Sequence, residues 1–266
     1  MRLLMCAPDY FDVTYEINAW MRVVNGPDPE KARRQWAALY DILREEVGAD
    51  VHLIPPQPGL PDMVFTANAG LTKGDWFVPS RFRPIERQGE VAFFIQWMLE
   101  NGFRLKPLTE EVAGSFEGEG DALFYGDMLL AGYGQRSDKP ACLGVGTLLG
   151  VEVLPLRLTD SRWYHVDTCL IPVSPELLAY YPPAFDAEAK AALEALPGEK
   201  ILISEHDALR FGGNAVVAGD QIVLNSGCDE LAEALSGRGY TVHATDLSEF
   251  LKSGGSAKCL VLTLDH

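Results

Sequence analysis

The sequence predicts an α/β propeller of five strand–strand–helix–strand units arranged with pseudo-fivefold symmetry about one axis. Three observations lead there. First, a hairpin signature recurs: an Asn or Asp, a short apolar run, a tight turn and a second apolar run, opening at Asn68, Asp121, Asp167 and Asn214 at near-constant spacing. A further step of similar length reaches Cys259, at the head of the apolar run CLVLTL. Second, each hairpin is followed by a helix-like stretch and one more short strand. Third, the two chain ends carry complementary fragments of one unit, so pairing them closes a ring and leaves few sheet edges exposed.

In chain order, RLLMC reads as a strand, residues 29–47 as a helix and VHLIP as a strand. The hairpin NAGLTKGDWFVPS turns at Gly-Asp, and is followed by helical spacing over 84–101 and the strand FRLKPL. DALFYGDMLLAGYG repeats the Gly-Asp turn, but the helix expected over 137–150 is rich in glycine before VEVLPL. DTCLIPVSPELLAYYP turns at Ser-Pro and is followed by a helix over 184–196 and by KILIS. NAVVAGDQIVLN turns at Gly-Asp and leads to a helix over 228–238 and YTVHA. The last unit keeps a single strand, 259–264. One domain, 1–266, without a linker is expected.

Composition narrows the function classes. Of 266 residues, 47% are hydrophobic and 23% charged, a globular balance. With 38 acidic and 22 basic residues the net charge is −16, which repels phosphate backbones and anionic membranes and suits a small cationic substrate. No apolar run reaches membrane-spanning length, and the start MRLLMCAPDYFD lacks the apolar stretch of a secretory signal. Five scattered cysteines with no CxxC pair argue against a disulfide framework or structural zinc. A cytoplasmic protein with free thiols, no nucleic-acid or membrane partner and no metal is expected; association with copies of itself stays open.

A radial array brings Asn68, Asp121, Asp167, Asn214 and Cys259 towards one axis. Singly, each Asn or Asp fits a turn role; together with Cys and His they point to chemistry. In RWYHVDTCLIPV, read as a buried strand, His165 and Asp167 share a face, so the carboxylate can hold the imidazole. SFEGEGDAL sets Glu117, Glu119 and Asp121 among glycines, three carboxylates that need a cation or a shared proton. Cys259 follows the flexible SGGSAK, and Lys258 is expected to point away from it along a strand. Cys169 is the rival nucleophile, set deeper in an apolar strand. No phosphate-binding loop, dinucleotide fingerprint or HExxH helix competes.

In this order along the chain, PDMVFTANAG, FEGEGDAL, YHVDT and GGSAKCL resemble the motifs of the guanidine-modifying (pentein) superfamily of arginine deiminases, dimethylarginine dimethylaminohydrolases, amidinotransferases and arginine dihydrolases. The likeness runs from CAPDYFDVTYEINAWM to the C-terminal cysteine, and it implies a five-bladed α/β propeller. It further implies a C–N hydrolase acting on arginine or a methylated arginine with no metal or organic cofactor. Carried over motif by motif, Cys259 is the nucleophile, His165 the general acid and base, and Glu117 and Asp167 the guanidinium ligands with Asn68 beside them. Asp62 and Asp121 bind substrate or order the loops; Arg136 and either Arg81 or Arg87 hold the substrate carboxylate. Asn68 departs from the pattern, since deiminases and dimethylargininases carry Asp there. FTANAG and INAWM look most like arginine dihydrolases, which turn arginine into ornithine, carbon dioxide and two ammonia molecules. The alternatives are dimethylarginine hydrolysis to citrulline and dimethylamine, deimination, and, more remotely, a non-catalytic binding protein of the same fold.

Overall fold

A computed structural model describes residues 1–265. Five three-stranded sheets stand side by side, and each is built alike: an antiparallel first pair, then a parallel third strand reached through a helix. The first sheet joins the chain ends: Leu262–Thr263 pairs antiparallel with Arg2–Cys6, which pairs in parallel with Asp50–Ile54. The second holds Gly70–Lys73, Trp76–Pro79 and Arg104–Leu105. The third holds Ala122–Tyr125, Met128–Tyr133 and Glu152–Arg157. The fourth holds Leu170–Ser174, Leu177–Tyr180 and Glu199–Leu202, and the fifth Val216–Ala218, Gln221–Asn225 and Thr241–Thr245. The five-bladed α/β propeller is therefore the fold, closed by the two ends.

Local chemistry explains why the helices sit where they do. Pro29–Asp41 begins behind Asp28, whose carboxylate accepts from the amides of Glu30 and Lys31 at 2.9 and 3.0 Å. Its Ala32, Gln35, Trp36 and Leu39 recur at helical spacing and are buried. The helix continues as a π turn over Ile42–Glu46, so the expected element over 29–47 is one helix in two pitches. The glycine-rich stretch also folds as a helix, Lys139–Leu149, ended by Gly150 in the left-handed conformation. A Cβ at Gly146 would collide with Val153 and lie 2.9 Å from the carbonyl of Val151, so glycine lets this helix lie directly on its own strand. The apolar side chains pack in clusters between sheets and helices, such as Leu3, Trp36, Leu39, Phe65 and Phe250. No helix of the described residues is long and apolar enough to cross a membrane.

Two expected strands are shorter than the sequence suggests. RWYHVDTCLIPV is a strand only from Leu170; Val166–Thr168 forms a 3-10 turn. The terminal strand is Leu262–Thr263, and Cys259 lies in a turn before it. Both departures fall where the chain reaches the axis, and both re-aim side chains that a strand would have alternated.

Candidate active site

The five hairpin openings do converge: Asn68, Asp121, Asp167, Asn214 and Cys259 are each at most 2% exposed. In a folded chain, buried polar groups need partners, and the bonds they make define two linked halves of a site.

The first half surrounds Cys259. Its Sγ lies 3.3 Å from Asp167 Oδ2 and accepts from Asn214 Nδ2 at 3.1 Å. Asn214 Oδ1 in turn accepts from the backbone amides of Ser256 and Cys259, at 3.0 and 3.1 Å. One amide side chain thus both folds the turn and contacts the sulfur. Burial pushes the Cys259 thiol well above its usual value, and the Asp167 charge pushes it further, so the resting group is a thiol. Burial raises Asp167 to about 7, against the pull of Lys258 and of the bonds from Cys259 and Asn214.

The second half surrounds His165. Its Nε2 lies 2.8 Å from Glu117 Oε2, the same oxygen that accepts from Arg136 Nη1 at 2.9 Å. Burial alone would raise Glu117, but Arg136, His165 and Arg87 outweigh it and hold the carboxyl near 2. Burial lowers His165 to about 4 in spite of Glu117, so the imidazole is neutral at rest. Its tautomer follows from the network. Arg87 Nη1 donates to Asn68 Oδ1 at 2.6 Å, which turns Asn68 Nδ2 towards His165 Nδ1 at 3.5 Å. Nδ1 is therefore the acceptor, and Nε2 carries the proton shared with Glu117. Gly120 makes the approach possible: a Cβ there would collide with Asn68 Nδ2 and lie 3.1 Å from His165 Nδ1.

These bonds correct the expected pairing of His165 with Asp167. The 3-10 turn separates them, and the imidazole is held by Glu117 while Asp167 faces the sulfur. Nor does Lys258 point away: because Cys259 lies in a turn, the ammonium folds under it, 2.5 Å from Glu119 Oε2. Cys169 is buried in the apolar core, its thiol against the carbonyls of His165 and Val166 and strongly raised by burial.

The three carboxylates of FEGEGD separate by partner. Glu117 pairs with Arg136 and Glu119 with Lys258, while Asp121 accepts from the amide of Val166 at 3.2 Å and is pushed well up by burial. Asp62 is also buried and accepts from Tyr15 Oη at 3.0 Å. One oxygen each of Asp62 and Asp167 is buried with no hydrogen-bond partner, whereas Asp121 also bonds the Ser137 side chain.

The candidate arginines do not behave alike. Arg136 is buried, donates to the carbonyl of Ile17 at 3.0 Å and lies over the Tyr164 ring. Arg87 is buried in a fork with Glu90 at 2.8 Å, and it also donates to the carbonyl of Asp62. The structure does not bring Arg81 to the cluster. Its guanidinium donates to the carbonyls of Leu108, Thr109, Val112 and Gly114 and folds that loop.

Residues 8–22, without helix or strand, cross this face. Besides Tyr15 and Ile17, Asn18 donates to the carbonyl of Ser253 at 2.9 Å and Trp20 to that of Arg162 at 2.6 Å. Tyr15 and Asn18 lie in the CAPDYFDVTYEINAWM stretch that carries the family likeness, though neither was singled out as a site residue. Asn214 was marked by its place in the repeat, though not as a partner of the sulfur.

With this geometry in hand, comparison with known proteins is informative. The family described as N,N dimethylarginine dimethylhydrolase, eukaryotic, matches residues 8–265. The chain belongs to the dimethylarginine dimethylhydrolase family. Its membership also places it in the guanidine-modifying superfamily. A bifunctional arginine dihydrolase/ornithine cyclodeaminase, ArgZ of Synechocystis sp., is 47% identical over 98% of the chain, which spans only 37% of that protein's length. An N(G),N(G)-dimethylarginine dimethylaminohydrolase of Mycobacterium tuberculosis is 41% identical over 99% of the chain and 85% of its own length. The N-terminal domain of ArgZ, solved as an Asn-to-Ser variant covalently bound to a reaction intermediate, superposes with a TM-score of 0.94 at 45% identity, covering 99% of this chain and 98% of that one.

Proposed function

We propose that this member of the family hydrolyses the guanidinium of free arginine to ornithine, carbon dioxide and two ammonia molecules, consuming two waters. Cys259 is the nucleophile in this reading. The cation enters beside the unpartnered oxygens of Asp167 and Asp62, and its charge draws the thiol towards thiolate. Sγ attacks the central carbon, the departing nitrogen leaves as ammonia with a proton delivered through His165, and a covalent thiouronium remains. Water, deprotonated by His165, then releases the ureido product. Arg136 is the residue suited to the substrate carboxylate, while Arg87 serves by fixing Asn68.

The orientation of Asn68 carries the choice of product. With its oxygen fixed by Arg87, the side chain turns N–H towards His165 Nδ1 and the Glu117 carbonyl, both long contacts at 3.5 Å that a ligand oxygen can replace. That donor suits the carbonyl oxygen of a neutral ureido group and retains it for a second attack by Cys259. An aspartate would present an acceptor and repel the oxygen. The reading therefore requires two ammonia per arginine with ornithine accumulating, measured by separate ammonia, citrulline and ornithine assays. Asn68→Asp is expected to move product towards citrulline, by about 1–3 kcal/mol of lost hydrogen bonding. One ammonia per arginine with citrulline accumulating in the unmodified protein would replace this reading by deimination. Dimethylarginine hydrolysis is the second reading, favoured by the 85% coverage of the mycobacterial relative; dimethylamine release from dimethylarginine, faster than ammonia from arginine, would establish it.

The raised Asp167 sets a pH dependence. Only the ionised carboxylate attracts a guanidinium, and a folded-state value near 7 means that this form is lost as pH falls below 7. The ratio kcat/KM is expected to decline on the acid side from about pH 7, with the limb absent in Asp167→Asn. A flat profile down to pH 5 in the unmodified protein would contradict the assignment.

A further inference from the structure

Behind the site, the nucleophile-bearing turn is tied across the axis to the loop that carries Glu117. Lys258 Nζ meets Glu119 Oε2 at 2.5 Å and also donates to the carbonyl of Val261 at 3.0 Å. The same Glu119 oxygen accepts from the amide of Thr263 at 3.0 Å, and the backbone amide of Lys258 donates to the carbonyl of Asn214 at 3.2 Å. The side chains are nearly buried, at 12% and 1% exposure. A buried ion pair costs desolvation and contributes little net stability compared with apolar residues of the same size, so its presence one residue from Cys259 calls for another role.

We infer that the Lys258–Glu119 pair is a positioning device for the nucleophile, setting the charge beneath Asp167 and Cys259 as well as the place of the turn. The inference rests on Cys259 being the reacting thiol. Asp167 is faced from the C-terminal turn by Cys259 and Lys258, and from the FEGEGD loop by Glu119 and Asp121. Tyr164 and Cys169 face it from its own segment, and the Asn214 amide bonds its backbone carbonyl. Among these, Lys258 is the cation. It favours the ionised carboxylate, and Glu119 partly opposes it. Because Asp167 and the thiol share a hydrogen bond, the pair titrates together. Withdrawing Lys258 raises the pH at which Asp167 ionises; withdrawing the charge of Glu119 lowers it.

The two halves of one ion pair thus have opposite effects, which a purely structural clamp cannot produce. Lys258→Met is a suitable variant, since Lys258 borders a hollow lined by Leu123, Ile171, Val216 and other apolar residues. Glu119→Gln keeps an acceptor for Thr263. The measurement is the pH dependence of kcat/KM for ammonia release from arginine, whose acid limb reports Asp167, with thermal unfolding to report folding and iodoacetamide labelling of Cys259 read by peptide mass spectrometry. The midpoint of the acid limb is expected to rise by about one pH unit in Lys258→Met, to fall in Glu119→Gln and to return in Lys258→Arg. Shifts in the same direction in both variants, or no shift in a folded variant, overturn the inference. Should Lys258→Met not fold, the fall in Glu119→Gln decides alone. Turnover that survives complete labelling of Cys259 would instead refute the proposed reaction and leave these midpoints readable.

Discussion

Cys259→Ser is expected to lower turnover by at least about 10⁴-fold, with the fold unchanged and arginine binding retained. The reasoning is one of chemistry and place. A hydroxyl is far harder to ionise than a thiol, and the carboxylate 3.3 Å away, Asp167 at about 7, is too weak a base to ionise it. Structurally the change is small, because serine can keep the bonds to Asp167 and Asn214, and the turn is fixed by backbone amides bonded to Asn214 Oδ1. Cys169→Ser is the control. That thiol points at backbone carbonyls inside the apolar core, so its loss is expected to cost stability and leave turnover per folded molecule nearly intact. Rates of ammonia release under saturating arginine, with unfolding temperatures for both variants, decide the matter. Surviving turnover in Cys259→Ser together with loss in Cys169→Ser would move the nucleophile to the fourth sheet.

The repeat was legible because its punctuation is chemical. Gly-Asp turns between apolar runs occur at Gly74, Gly126 and Gly219, and each glycine takes the positive φ that such a turn demands. The glycine-rich 137–150 stretch was the weakest helix on propensity, and it folds as the expected helix, Lys139–Leu149, through tertiary packing. Gly146 makes room for Val153 of the strand beneath it and Gly144 for Val112 and Leu108, contacts that a single-sequence pattern does not display. Alternation failed near the axis, where Val166–Thr168 and the turn at Cys259 depart from extended geometry. There the backbone serves the placement of side chains, and local preference no longer governs it.

The same limit applies to the site. Residue types and their convergence on the axis were readable, but bonding partners were not. His165 and Asp167 are close in sequence, yet their partners come from loops nearly fifty residues or more away, Glu117 in one case and Cys259 and Asn214 in the other. Arg81 and Arg87 lie in one short motif and could be separated only by where their guanidinium groups end. One closes a loop of carbonyls, and the other orients Asn68. Tyr15 and Asn18 belong to an irregular segment with no period, so the family likeness of CAPDYFDVTYEINAWM marked the stretch while hydrophobic periodicity could not place it across this face.

His165→Gln is expected to slow turnover by about 10²- to 10⁴-fold with a small change in KM, and Glu117→Gln to lower turnover and raise KM together. The difference comes from what each removal leaves behind. Without the imidazole, Glu117 keeps its bond to Arg136 at 2.9 Å, so the charge balance of the site survives and only proton transfer is lost. Without the carboxylate, the buried Arg136 loses its counter-ion and His165 the acceptor that fixes its tautomer. An uncompensated buried charge costs about 3–5 kcal/mol, so Glu117→Gln should also melt several degrees lower, whereas His165→Gln should not. Because both side chains act through one hydrogen bond, the double variant should turn over no more slowly than Glu117→Gln alone. Steady-state kinetics and melting curves of the three variants test this. Additive losses in the double variant would show that the two groups act independently. A His165→Gln rate within about threefold of the unmodified protein would remove the imidazole from proton transfer.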